Sequence, residues 1–199
     1  MTTSGMGATP ASTALRALDA LRALALEQGL DDVSMRDVAR QLGISLAALQ
    51  YHYPNKASLL EAFVRQTIET YRERIVAVLA ACAPGGQLAA LVRFATAETL
   101  RTDQYRVLAM IEGRAHHDMD ARRAIGLFFR SYLDTMCAAI QADRPDLSPR
   151  KVLVVAALAV SMLEGLPSVI EPAGELGVGP DALADALVEL VQTLAEVTA

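Results

Sequence analysis

The stretch "SMRDVARQLGISLAALQYHYPNKASLL", Ser34 to Leu60, decides how the chain is read. Ser34 can cap a helix start, and Asp37 stands three residues on as its reciprocal partner, the layout of a capping box. Val38, Ala39 and Leu42 then form one inner face. Gly43 breaks the helix, and Ser45 caps another that lasts about two turns before Pro54, since the residue before a proline resists helical geometry. Two short helices joined by a tight glycine-containing turn make a helix-turn-helix, and the small Ala39 lets them cross closely. Asn55 caps the helix that follows.

Outward from this core, helical periodicity defines a first helix over about Ser12 to Gln28, with Ala17, Leu21 and Ala25 on one face, Leu18 and Leu24 beside them, and Gly29 as its stop. A long fourth helix carries Leu59, Leu60, Phe63, Val64, Ile68, Tyr71, Ile75 and Leu79 and ends near Pro84-Gly85-Gly86. Further helices are expected over about Gln87 to Thr102, Asp103 to His116, Asp120 to Asp143, Ser148 to Leu166 and Pro180 to Val197, nine in all. Pro167 to Gly179, rich in proline and glycine, reads as a flexible loop. No stretch alternates as a strand would, so the fold class expected is all-α.

Composition agrees. Of 199 residues 53% are hydrophobic, with alanine and leucine dominant, which favours helices over sheet. The length suffices to bury a substantial core. Cys82 and Cys137 lie in apolar periodic segments and read as small buried hydrophobes of a reducing cytosol. No run approaches the ~20 apolar residues of a membrane span, and Val152 to Leu163 reads as a buried helix. Met1 to Ala11, rich in small polar residues and lacking a signal-peptide layout, reads as a disordered tail. The expectation is a soluble, cytoplasmic protein with no membrane partner.

The net charge of −5 argues against a general nucleic-acid binder, but its distribution matters more. Met1 to Lys56 carries five cations and five anions, and all the excess negative charge lies after it. Between Val33 and Lys56 the cations Arg36, Arg40 and Lys56 outnumber the single anion Asp37. A small basic face on an acidic body is compatible with DNA binding.

The third helix presents Ser45, Leu46, Ala47, Ala48, Gln50 and Tyr51 outward, while Ile44, Leu49 and Tyr53 point back to the first two helices. An α-helix fits the major groove, where each base pair shows its own donor and acceptor pattern. Gln50 can pair bidentately with adenine, Leu46 and Ala47 can touch thymine methyls, Ser45 can reach a base edge or phosphate, and the Tyr51 hydroxyl suits a phosphate. Lys56 stands in the first turn of a helix, against the positive end of its dipole, at a cost of a few tenths to ~1 kcal/mol. An external phosphate would reverse that sign. Arg36 has the same geometry. Tyr53 reads as an aromatic plug and His52 as a helix-end surface residue.

The stretch "ALDALRALALEQGLDDVSMRDVARQLGISLAALQYHYPNKASLL", Ala17 to Leu60, resembles the N-terminal DNA-binding domain of TetR-family transcriptional regulators. "YHYPNKASLL" is similar to the family's aromatic-x-(Ser/Asn)-Lys junction. The resemblance covers about a quarter of the chain. It implies a DNA-binding domain over 12–56 and a helical ligand-binding and dimerisation domain over 57–199. The implied protein is a homodimer on a palindromic operator in double-stranded DNA, usually repressing and released by a small-molecule effector. It further implies base contacts from Ser45, Gln50 and Tyr51 and phosphate contacts from Arg36 and Lys56. Family members often carry glycine at Ala47, tyrosine at Gln50 and a basic residue at Leu46, so Gln50 as base reader comes from its chemistry and not from the resemblance.

In the C-terminal part, Val152, Val155, Ala156, Ala159 and Leu163 form one stripe and Leu183, Leu187, Leu190 and Leu194 another. Two such helices from each subunit would build a four-helix dimer interface, or else the stripes are buried within one chain. Phe94, Tyr105, Met110, Phe128, Phe129, Met136 and Met162 are candidate lining of an effector pocket. Glu112 and Glu164, carboxylates inside apolar stretches, need a partner such as an internal arginine or a cationic ligand. "HHDMD", His116 to Asp120, reads as a solvated connector and not a metal site. No nucleophile–base pair, phosphate loop or cofactor motif stands out, so no enzymatic activity and no cofactor is expected. An activator or ligand-independent regulator of the same fold stays open, as does a helical small-molecule-binding protein.

Overall fold

The computed structural model describes residues 10–83, 85–101 and 103–197. Among them are nine helices and no strand: α1 (Pro10–Gln28), α2 (Met35–Leu42), α3 (Leu46–His52), α4 (Lys56–Ala80), α5 (Gln87–Arg101), α6 (Asp103–Arg114), α7 (Met119–Asp143), α8 (Pro149–Glu175) and α9 (Pro180–Val197). The expected tail, Met1 to Ala11, lies outside the described residues apart from its last two, which belong to α1.

The chain divides into two compact units. The first comprises 1–66 and 106–125, the second 67–105 and 126–199.

In the first unit, α1, α2 and α3 pack on one another. Ala17, Leu18, Leu21, Leu24 and Ala25 of α1 are buried, as are Val38 and Ala39 of α2 and Leu49 of α3. Leu59, Leu60, Phe63 and Val64 of α4 are buried too. Gly29 and Gly43 both adopt left-handed backbone, with φ of 87° and 68°, which a side chain would disfavour.

The second unit is built on α5, α8 and α9, which pack pairwise. Leu91, Val92, Met136, Ile140, Val155, Ala156, Ala159, Leu163 and Val191 form its core. Asp143 closes the start of α5, its carboxylate accepting from the N–H groups of Gln87 and Leu88 at 3.1 and 2.8 Å.

Three expectations change. The loop expected over Pro167 to Gly179 is helical as far as Glu175, with Pro167 and Pro172 inside α8. A helical proline costs about 3 kcal/mol, and α8 is anchored upstream by seven buried side chains. With that extension α8 is long and apolar enough to cross a membrane by length and composition, although a third of its most apolar window is buried. The estimate from sequence stopped at Glu164 and so counted a shorter run. Cys82 and Cys137 are free but half-buried, not buried.

Candidate nucleic-acid interface and effector cavity

The helix-turn-helix is fixed by its own side chains. Ser34 Oγ accepts from the Asp37 N–H at 3.3 Å, and the Asp37 carboxylate accepts from the Ser34 N–H at 2.9 Å, completing the capping box. The Ser34 hydroxyl also donates to the Asp37 carboxylate at 2.5 Å, and this bond first, then the Ser34 N–H and Arg40 at 2.6 Å, hold the Asp37 carboxyl below its ordinary value. At the turn, the Gly43 N–H donates to the Arg40 carbonyl and the Ile44 N–H to the Ala39 carbonyl, each at 3.1 Å, a Schellman-type ending. Ser45 Oγ then caps α3, accepting from the Ala48 N–H at 3.1 Å.

The orientation of α3 follows from what it buries. Leu49 has no exposed surface, and the Tyr53 hydroxyl donates to the Ala14 carbonyl of α1 at 3.1 Å. Tyr53 is therefore the plug expected. The opposite side is open: Ser45, Ala47, Gln50 and Tyr51 are exposed and Leu46 is half-exposed. Tyr51 is 84% exposed, an unusual position for a large aromatic in the absence of something to contact. Its ring meets that of His52 edge-on at 5.2 Å. The Gln50 amide lies 3.5 Å from the Pro54 carbonyl. Arg36 is exposed and has no hydrogen bond or ion pair among the described residues.

Lys56 differs from the expectation of a free, phosphate-clamping cation. It is half-buried, and its Nζ donates to the Leu30 carbonyl at 2.7 Å and approaches that of Asp31 at 3.5 Å. Burial, followed by the nearby Arg114 charge, lowers its pKa. The long side chain escapes the positive helix end by reaching back to the turn between α1 and α2, where it meets the backbone oxygens of Leu30 and Asp31. Arg114 joins the same cluster. It ion-pairs with Asp31 and, at 2.6 Å, with Asp118. Asp118 also caps α7 through the N–H groups of Ala121 and Asp120, and the Ala121 bond first, then the Arg114 guanidinium, lower its pKa. Within "HHDMD", then, Asp118 serves as a helix cap, and His116 lies outside any helix.

The second unit contains a half-open cavity lined among others by Tyr71, Phe94, Glu98, Tyr105, Phe128, Tyr132 and Glu164. Of the candidate lining residues, Phe94, Tyr105, Phe128 and Glu164 are there. Phe129 and Met162 pack against the hydrophobic core instead, Met136 is fully buried in it, and Met110 and Glu112 belong to the first unit. Periodicity could not separate these cases, because a core side chain and a cavity side chain share one helical stripe. Glu98, only 8% exposed, was missed although it is also a carboxylate within an apolar stretch. It forms a two-pronged ion pair with Arg74. The Tyr105 hydroxyl donates to Glu164 at 2.9 Å.

The stripes offered as a dimer interface are largely internal. Val152, Val155, Ala159 and Leu187 are buried in the second unit's own core and Leu183 packs against it, while Leu190 is 47% exposed and Leu194 half-buried. The neighbouring face of α8 is the open one, with Leu153, Val154 and Leu158 each more than 40% exposed.

A capped helix-turn-helix presenting an open third helix defines the first unit as a DNA-binding module of the kind found in transcriptional regulators. Residues 17–63 match the family described as bacterial regulatory proteins, tetR family. The chain is 28% identical over 146 residues to the HTH-type transcriptional regulator BetI of Rhizobium meliloti (strain 1021), covering 70% of this chain and 68% of that one. Its fold is shared with a transcriptional regulator from Saccharomonospora viridis solved in complex with choline, at a TM-score of 0.71 and 21% identity over 92% of this chain and 96% of the other. It is shared too with AibR in complex with isovaleryl coenzyme A and operator DNA, at a TM-score of 0.65 and 20% identity over 89% and 97%.

Proposed function

We propose that this chain is a cytoplasmic, homodimeric repressor that binds a palindromic operator and is released by a small-molecule effector. Residues 12–56 form the DNA-binding domain and 57–199 the domain for effector and dimer contacts. The observation that carries this reading is the open face of α3: Ser45, Ala47, Gln50 and Tyr51 lie exposed on a helix whose back is locked by Leu49 and Tyr53. Gln50 reads a base, Leu46 and Ala47 meet thymine methyls, and Ser45, Tyr51 and Arg36 hold the backbone. Lys56 shapes the domain from within.

The cavity of the second unit is the effector site, lined by Phe94, Tyr105, Phe128 and Glu164 together with Tyr71, Glu98 and Tyr132. The choline and isovaleryl coenzyme A complexes of the similar folds support small-molecule control. The protein acts by binding and not by catalysis. Its twofold contact uses the open face of α8 around Leu153, Val154 and Leu158, with Leu190 of α9 beside it, since an exposed apolar face of this kind marks an interaction site.

Footprinting on the DNA flanking the coding region tests the reading. The expected result is a short protected palindrome, with affinity falling steeply as salt rises. Protection of no site, or loss of sequence preference at low salt, would sink it.

A further inference from the structure

The effector reading leaves the ligand's chemistry open, and the hydrogen bonding of the cavity wall narrows it. The charged groups there already have partners. Glu98 is gripped at both oxygens by the Arg74 guanidinium, and Glu164 accepts from the Tyr105 hydroxyl at 2.9 Å. Arg72, also on the wall, is 65% exposed and faces Glu69 at 3.9 Å, so water screens its charge. An ionised ligand would give up its hydration for groups already engaged. A ligand carboxylate would in addition face the charge of Glu164.

What the wall leaves open is a hydroxyl. Tyr132 of α7 lines the cavity and is half-buried, and its hydroxyl has no hydrogen bond among the described residues. The Thr135 hydroxyl on the same wall, by contrast, donates to the Ser131 carbonyl at 2.8 Å. Burial, then the charge of Glu164, then Tyr105 and Tyr71 raise the Tyr132 pKa well above its ordinary value. Those three residues all line the cavity, so the Tyr132 hydroxyl lies on the cavity side and keeps its proton. A hydroxyl withdrawn from water calls for a hydrogen-bond partner, and a protonated phenol offers a donor.

Around that donor the wall is aromatic. Tyr71 meets Phe94 edge-on at 6.4 Å and Phe128 at 5.9 Å, and Phe128 in turn meets Tyr132 at 5.9 Å. Edge-on and tilted contacts of this kind extend readily to one more ring.

We propose that this cavity binds a neutral aromatic compound carrying an acceptor oxygen, its ring among Tyr71, Phe94 and Phe128 and its oxygen accepting from the Tyr132 hydroxyl. The proposal rests on the effector reading of the same cavity.

Equilibrium dialysis of the full-length protein with four probes of similar size tests it: acetophenone, its hydrocarbon isostere isopropenylbenzene, the anion benzoate and the cation phenyltrimethylammonium. Acetophenone is expected to bind saturably, and each ion at least about tenfold more weakly. Tyr132→Phe should remove about tenfold of the ketone's affinity, because its oxygen then enters the cavity without a donor. The same change should leave the hydrocarbon's affinity as it was, which also reports that the cavity is still folded. An unchanged ketone affinity in Tyr132→Phe, an equal loss for ketone and hydrocarbon, an ion bound as tightly as the ketone, or binding of none of the four would overturn the proposal. Operator binding measured in parallel separates the two claims. Release of DNA by one of the ions alone keeps the effector reading and removes the neutral ligand, whereas saturable, Tyr132-dependent ketone binding without any change in DNA affinity does the reverse.

Discussion

Lys56 Nζ donates to the Leu30 carbonyl at 2.7 Å, tying the first residue of α4 to the connection between α1 and α2. A lysine whose place in the sequence suggests a phosphate ligand is thus engaged inside the DNA-binding unit. Lys56→Met, which keeps the apolar stem, should cost about 1.5–3 kcal/mol of stability, the range for hydrogen bonds to charged groups. Urea unfolding measures this. Unchanged stability together with a salt slope of DNA binding reduced by about one would instead return Lys56 to the phosphates.

Arg36 and Gln50 divide backbone from base contact. Arg36→Ala should weaken every duplex alike and lower the salt slope by about one. Gln50→Ala should relax preference at one position in each half-site, costing about 1–3 kcal/mol on the preferred operator alone. Competition binding against single-base operator variants distinguishes the two. A uniform loss from Gln50→Ala would place its amide on the backbone.

Asp37 and Asp118 are expected to contribute to the acid limb of stability. Both carboxyls lie below their ordinary pKa of 3.8 when folded, Asp37 chiefly through its hydrogen bonds to Ser34 and Asp118 chiefly through the Ala121 N–H. The unfolded chain therefore binds more protons, so their contribution is complete above 3.8 and disappears as pH falls through the lowered folded values. Asp37→Asn and Asp118→Asn should each flatten the loss of unfolding free energy on acidification. An acid limb identical to that of the unsubstituted protein would show that these caps do not control it.

The open and closed faces of α8 should respond oppositely to charge. Leu158, 43% exposed, is expected to tolerate glutamate as a folded monomer with weakened operator binding. Val155, with no exposed surface, is expected to lose its fold on the same change, because a buried carboxylate has no partner there. Light scattering with circular dichroism reads both. A Leu158→Glu protein that stays dimeric would move the interface elsewhere.

Much of the first unit was legible because its signals are local. Ser34, Asp37, Gly43, Ser45 and Pro54 each act within a few residues of themselves, and the structure places caps and turn where those residues dictate. The hydrogen bond of Lys56 was not legible because its partner, Leu30, lies 26 residues away and offers a backbone oxygen, which leaves no side-chain trace in the sequence. In the second unit, buried and cavity-lining positions share one periodicity, so Phe94 and Phe128 could not be told from Phe129 and Met162. The apolar stripes were ambiguous for a related reason: the most regular stripe of α8 fills the unit's own core, and the less regular one beside it stays open. Pro167 and Pro172 read as breakers because their cost is local, while the packing that holds α8 together comes from residues upstream.

Selection of duplexes from a randomised pool by the full-length protein tests most directly the claim that the open face of α3 reads DNA. The account predicts enrichment of a twofold-symmetric sequence whose half-sites fall about one helical turn, or a whole multiple of it, apart, with enrichment abolished when Gln50 and Tyr51 are both replaced by alanine. Enrichment of no sequence, or an identical consensus from that double variant, would contradict it.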